Sequence, residues 1–223
     1  GNVSVTLAGI DADAATVAVT FSDGSATVSG TASKDVNGDW TVTDTDLSGL
    51  ADGTITVSAV VTDTSGNTST ATDTLVLDTS ADVDSNFSVA VATSDEDTNA
   101  DESGNVSVTL AGIDADAATV AVTFSDGSAT VSGTASKDVN GDWTVTDTDL
   151  SGLADGTITV SAVVTDTSGN TSTATDTLVL DTSADVDSNF SVAVATSDED
   201  TNADERGNVS VTLAGIDADA ATV

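Results

Sequence analysis

Apolar and polar residues alternate with a period of two along most of the chain. Val106, Val108 and Leu110 interleave with Ser107 and Thr109, and Val120, Val122 and Phe124 with Ala121 and Thr123. Ile158, Val160, Ala162 and Val164 interleave with Thr157, Thr159 and Ser161. Successive side chains of a strand point to opposite faces, so this alternation in β-branched residues predicts strands with one buried face. Clusters of Gly, Asn, Asp and Ser break the pattern at the spacing of short antiparallel strands. No useful length carries helical periodicity. Seven strands are predicted in the middle of the chain: A over 86–93, B over 105–112, C over 119–125, D over 128–135, E over 142–147, F over 156–165 and G over 173–180. Asn140-Gly141 between D and E predicts a type I′ hairpin, whose two central residues both need positive φ. Seven short strands in about 100 residues predict an all-β fold, an immunoglobulin-like sandwich. Its inward set is Phe87, Val89, Val91, Val106, Val108, Leu110, Val120, Val122, Phe124, Val131, Val145, Leu150, Leu153, Ile158, Val160, Ala162, Val164, Leu178 and Leu180, with Trp143 as the one large anchor.

The pattern recurs. The string GNVSVTLAGIDADAATV starts at Gly1, Gly104 and Gly207, a period of 103 residues. Residues 1–102 return letter for letter as 104–205, and Arg206 stands where the first copy has Ser103. Solenoid and propeller repeats are about 20–50 residues long, whereas this unit has the size of an independent domain. The chain therefore reads as tandem β-sandwich domains in an elongated array. Polar stretches at 78–84 and 181–187 are the expected linkers. They divide the chain into a partial domain at 1–77 lacking its first strand, a complete domain at 78–180, and the first two strands of another at 181–223. The strand missing from one end is present at the other. Head-to-tail strand complementation between chains is therefore expected, alongside contact with neighbouring identical domains in the same chain.

Composition narrows the chemistry. The formal charge is −35, from 38 acids against Lys34, Lys137 and Arg206. Phosphate binding needs Lys and Arg, so nucleic acid and direct contact with an anionic membrane are excluded as partners. A chain so charged either stays unfolded or recruits cations, and 38% hydrophobic residues in a strand pattern argue for folding. There is no Cys and no His. Disulfides, thiolate sites and the usual transition-metal ligand and general base are all excluded. Carboxylates, amides, hydroxyls and carbonyls remain, the hard oxygen donors of Ca²⁺. No signal peptide and no apolar run of membrane-spanning length is expected in this window.

The acids cluster. Asp95, Asp97, Asn99 and Asp101 alternate between strands A and B, followed by Glu102, and can curl around one cation; Asp198, Asp200, Asn202 and Asp204 repeat them. This is not an EF-hand loop, since its sixth position is Ala100 and its twelfth Val106. Sandwich topology brings the BC and FG loops to the pole of the incoming linker. Asp114, Asp116, Asp166 and Asn170 of those loops then face Asp78, Asp82 and Asp84 of the linker. Asp181 and Asp185 hold the corresponding places in the next linker. A Ca²⁺ bridging linker and loop would stiffen a hinge. Paired acids such as Asp147 and Asp149 lack the aromatic platform of a glycosidase, and no enzyme is expected.

The block LADGTITVSAVVTDTSGNTSTATDTLVLDTSA, at 50–81 and 153–184, together with the NGDWTV hairpin, resembles bacterial immunoglobulin-like extender domains of RTX-type adhesins. It is most similar to the tandem repeat region of a marine ice-binding adhesin of that class. The resemblance implies an extracellular stalk on the bacterial surface, stiffened by Ca²⁺ within and between domains, that projects terminal adhesive domains. Arg206 departs from the repeat beside one acidic loop. The alternative is an adhesive module that itself binds ice, glycan or a like domain, for which outward Thr157, Thr159, Thr173, Thr175 and Thr177 are the candidates.

Overall fold

The structure, a computed structural model, describes residues 2–92, 97–185, 187–195, 203–204, 206–207, 209–218, 220 and 222. It is an all-β protein with two compact units, Gly1–Ser80 and Ala81–Val223. The first unit holds β1 (Asn2–Thr6), β2 (Ala14–Ser22), β3 (Thr27–Gly30), β4 (Ala32–Lys34), β5 (Trp40–Asp46), β6 (Gly53–Asp63) and β7 (Thr68–Leu77). These form one sheet in the order β1-β5-β4 and another in the order β3-β2-β6-β7. Phe21, Val42 and Ile55 are fully buried between them.

The second unit begins with the complete sandwich. Its strands are β8 (Ser88–Val91), β9 (Asp97–Thr98), β10 (Val106–Ala111), β11 (Ala117–Ser125), β12 (Thr130–Gly133), β13 (Ala135–Lys137), β14 (Trp143–Thr148), β15 (Gly156–Asp166) and β16 (Thr171–Leu180). One sheet runs β13-β14-β10-β8 and the other β12-β11-β15-β16-β9. The expected alternation holds: β15 is buried at Ile158, Val160, Ala162 and Val164, while Thr157 and Thr159 face solvent with Thr173, Thr175 and Thr177 of β16. Phe124, Leu150 and Val145 are fully enclosed, and each such side chain contributes about 1.5–3 kcal/mol. Trp143 is half-buried against this core, with the Lys137 ammonium 5.6 Å from its ring centroid.

Two expected strands divide between the sheets. Expected strand D becomes β12, paired with β11, and β13, paired with β14. The switch occurs at Gly133, where a Cβ would stand 2.7 Å from Val145 Cγ1. Glycine lets the crossing strand lie against the core there. Expected strand A likewise supplies β8 to one sheet and β9 to the other, and β9 pairs parallel with β16 through Asp97↔Val179 and Thr98↔Leu180. Part of the acidic stretch read as a loop is thus a strand, and Thr98 is fully buried. The 138–142 hairpin is not type I′. Lys137 pairs with Trp143 across a five-residue loop, and of the two central residues only Gly141 has positive φ, 98°. Asp138 orders this loop by accepting the N–H groups of Asn140 (2.8 Å) and Asp142 (2.9 Å).

The unit continues into a two-stranded hairpin of β17 (Ser191–Ala195) and β18 (Ser210–Ala214), the counterparts of β8 and β10. No helix in the described residues is long and apolar enough to cross a membrane.

Candidate metal centre

The residues before β8 form a tight turn that belongs to the domain it precedes. Ala81, read in the sequence as linker, is 3% exposed and packs in the core of the complete sandwich. Asp82 Oδ1 accepts the Asn86 N–H (3.1 Å), and its Oδ2 accepts the Phe87 N–H (3.2 Å) and the Ser172 hydroxyl (3.4 Å). Asn86 Nδ2 donates to Asp84 Oδ2 at 2.7 Å. Ser85 lies in the left-handed region, with φ 58°. Short polar side chains of this kind replace the ladder bonds that the turning backbone forgoes.

The BC loop closes on this turn. Asp114 Oδ2 accepts the Val83 N–H at 3.0 Å. Gly112, with φ 69°, lies so close to Asn86 that a Cβ would fall 2.3 Å from the Asn86 carbonyl oxygen. The same geometry recurs one repeat later. Asp185 accepts from the N–H groups of Asn189 and Phe190, both at 3.1 Å, and Asn189 donates to Asp187. Ser188 again has φ 58° and Gly215 φ 68°. There one carboxylate oxygen each from Asp185, Asp187 and Asp217 lies within 4.8 Å of the others. Asp185 and Asp217 are half-buried. Oxygens sharing one Ca²⁺ lie about 2.3–2.6 Å from it, hence no more than about 5 Å apart. The donor set and its spacing fit that ion. Like charges at such distances repel by roughly 1 kcal/mol in water and about 3–4 kcal/mol at an effective dielectric of 20.

The FG loop carries a second arrangement. Asp166, 3% exposed, accepts the N–H groups of Ser168 and Asn170 at 2.8 Å on Oδ1 and the Asn170 amide at 2.8 Å on Oδ2. Burial pushes its carboxyl up, but the Asn170 side chain and the N–H groups of 168–170 outweigh it and hold the pKa below the usual carboxylate range. Asp116, exposed, brings an oxygen within 4.8 Å of one on Asp166. Asp78, half-buried, follows β7 in the first unit.

The alternating acids are arranged differently. Asp95, Asp198, Asp200 and Asn202 lie outside the described residues. Asp97 is in β9. Asn99 Oδ1 accepts the N–H groups of Asp101 (2.9 Å) and Glu102 (3.2 Å), and Glu102 Oε2 accepts the Asn99 N–H (3.2 Å). This reciprocal capping turns the chain toward β10. Asp97, Asp101 and Glu102 belong to none of the groups of three converging acids among the described residues. Asp181, exposed, donates its N–H to Thr98 O at 2.9 Å, and Asp204 is exposed. Asp187 and Asp217 were not singled out in the sequence, although they are Asp84 and Asp114 displaced by one repeat. Two structural carboxylates were also missed. Asp126 joins the CD and EF loops by accepting from Ser128, Ala129 and Ala154, and Asp176 Oδ2 holds β8 through the Val91 N–H at 2.9 Å.

Three solved structures show what the chain is similar to. The first, a tetra-tandem repeat from the extending region of a large adhesion protein, is 26% identical over 97% of this chain and 59% of its own, with a TM-score of 0.39. The second, a Ca²⁺-stabilised adhesin with which an Antarctic bacterium reaches out and binds ice, is 30% identical over 96% of this chain and 52% of its own, with a TM-score of 0.41. A bacterial ice-binding adhesin of 1.5 MDa is 30% identical over 96% of this chain and 68% of its own, with a TM-score of 0.42. The chain thus spans little more than half the length of the first two. No curated protein matches it. The family model for a bacterial Ig-like domain matches residues 2–79 and 82–182. With its paired sheets and repeated sandwich pattern, the chain belongs to the bacterial immunoglobulin-like domain family.

Proposed function

We propose that this chain is a structural spacer of a large adhesin on the bacterial surface, a stalk stabilised by Ca²⁺ that holds terminal binding domains away from the cell. The convergence of Asp185, Asp187 and Asp217 carries this reading. Two come from the turn before β17 and one from the loop after β18, so a cation shared by all three ties the turn to the loop. Asn189 and Asp185 hold the turn in shape beforehand, which lowers the ordering cost of binding. Asp82, Asp84 and Asp114 have the same roles one repeat earlier, and Asp116, Asp166 and Asn170 supply further oxygen donors at that pole. The acids of 78–84 and 181–187 make each linker a cation ligand. A spacer gains length simply by repeating a bead that buries its own core, which accounts for a sequence copied almost verbatim.

Extracellular modules bind Ca²⁺ with Kd of about 10⁻⁴–10⁻³ M, so cytosolic calcium leaves such sites empty and the medium outside fills them. At a Ca²⁺ concentration of about 100 times Kd each site adds about 2.7 kcal/mol to the folded state. A thermal melt in EDTA and in millimolar Ca²⁺, with a Mg²⁺ control, tests this. The expected result is a Ca²⁺-specific rise of roughly 10–20 °C for a domain of this size, reduced by Asp185→Asn with Asp217→Asn. Identical melts in EDTA and Ca²⁺ would refute the calcium reading and leave the acids to serve solubility.

A further inference from the structure

The geometry points to a second copy of this chain as a partner: β17 of one molecule completes the open sandwich of another molecule's first unit. Donor and acceptor are read from the complete domain, which shows the two parts assembled. There β8 pairs with β10 through Val91↔Val108, Ala90↔Thr109, Val89↔Leu110 and Ser88↔Ala111. Val89 is 7% exposed, and Val106, Val108 and Leu110 are buried.

Neither part is so covered elsewhere. In the first unit β1 pairs only with β5 among the described residues, and its other edge carries no strand. Val3, Val5 and Leu7, the counterparts of Val106, Val108 and Leu110, are only half-buried. Leu75 and Leu77 are half-buried too, whereas Leu178 and Leu180 are buried. The unit is nonetheless folded around its core, so the acceptor exists before the donor arrives. The donor is equally bare: Phe190 is 52% exposed, Val192 64% and Val194 57%. A two-stranded hairpin alone is at best marginally stable in water, and β17 gains apolar cover by exchanging β18 for β1 of another molecule.

Sequence identity between the copies sets the register. Val194 pairs with Val5, Ala193 with Thr6, Val192 with Leu7 and Ser191 with Ala8. Asp73, which already accepts the Thr74 N–H at 2.8 Å, then receives the Val194 N–H as Asp176 receives that of Val91. The contact joins the end of one chain to the start of the next. Such a heterologous interface does not saturate at a dimer but grows into rings or filaments. Each copy carries −35, so repulsion opposes it and salt favours it.

Light scattering on the intact chain at high salt reads the association as mass against concentration. The expected result is a mass rising through two chains and beyond, returned to one chain by Val192→Asp with Val194→Asp. Retention of the Trp143 emission would show that the complete domain of that variant is still folded. The chain has no cysteine, so Thr6→Cys with Ala193→Cys places a thiol on each side of the register. The double variant should oxidise to a covalent ladder while each single variant gives at most weak dimer. A mass of one chain at every concentration would overturn the proposal. Cross-linking by Ala193→Cys alone as strong as by the pair would also overturn it, because the hairpins would then be meeting one another.

Discussion

Gly112→Ala tests whether the turn before β8 is held by contact with the BC loop. Gly9 and Gly112 occupy the same place in two identical sequences, and both have φ 69°. Their surroundings differ. A Cβ on Gly9 meets nothing within 4 Å, whereas one on Gly112 falls 2.0 Å from Asn86 Oδ1, 2.3 Å from its carbonyl oxygen and 2.5 Å from its carbonyl carbon. Alanine in a left-handed conformation costs about 1–2 kcal/mol, and both variants bear that cost. Gly112→Ala also overlaps backbone that cannot step aside without moving the turn and the Asp82 and Asp84 carboxylates with it. Overpacking of this kind adds about 1–3 kcal/mol. In a domain of this size each kcal/mol shifts Tm by roughly 4–8 °C. Each unit has one tryptophan, so Trp143 emission in a Trp40→Phe background follows the second unit, and Trp40 in a Trp143→Phe background follows the first. Gly112→Ala should lower the second unit's midpoint several degrees further than Gly9→Ala lowers the first's. It should also weaken the Ca²⁺-dependent rise. Equal losses at the two glycines would refute the reasoning, because the shared backbone strain would then account for the whole effect.

Thr148 is 6% exposed and its hydroxyl has no hydrogen-bond partner, so Thr148→Val, which keeps the shape and removes the desolvated oxygen, should raise stability by about 1 kcal/mol in a urea titration. An unchanged or lower midpoint would contradict this. Asp126 accepts N–H groups from Ala129, Ala154 and Ser128, and these hold its pKa below the ordinary carboxylate value. The unfolded chain therefore takes up that proton more readily, so the stability from Asp126 is full at neutral pH and is lost as pH falls through the folded-state value. Asp126→Asn should lower the midpoint at pH 7 and converge on the unsubstituted chain at about pH 2, where the carboxyl is protonated in both states. A constant difference across that range would mean that the contact is not ionic.

Sequence alone was enough for the elements whose logic is local. The period-two pattern placed β11, β15 and β16 because each alternates one buried face with one wet face along its own length. The 103-residue repeat foretold that whatever geometry Asp82, Asp84 and Asn86 adopt would return at Asp185, Asp187 and Asn189. Net charge and the absence of His and Cys confined the donors to oxygen. The sites were less legible, because a carboxylate's role depends on which N–H group it meets. Asn99 and Glu102 look like cation ligands in the sequence, yet they cap a turn. Asp126 and Asp176 look like spare charge, yet they fasten an EF loop and a strand. Sheet membership was also decided in three dimensions. Residues 128–135 read as one strand, but Gly133 must pass over Val145 and Phe124, and the closeness of those side chains sends the chain into the other sheet. The same holds for Ala81, which composition places in a linker and the core of the complete domain claims. Alternation says which face of a residue is apolar; only the packed sandwich says which surface that face meets.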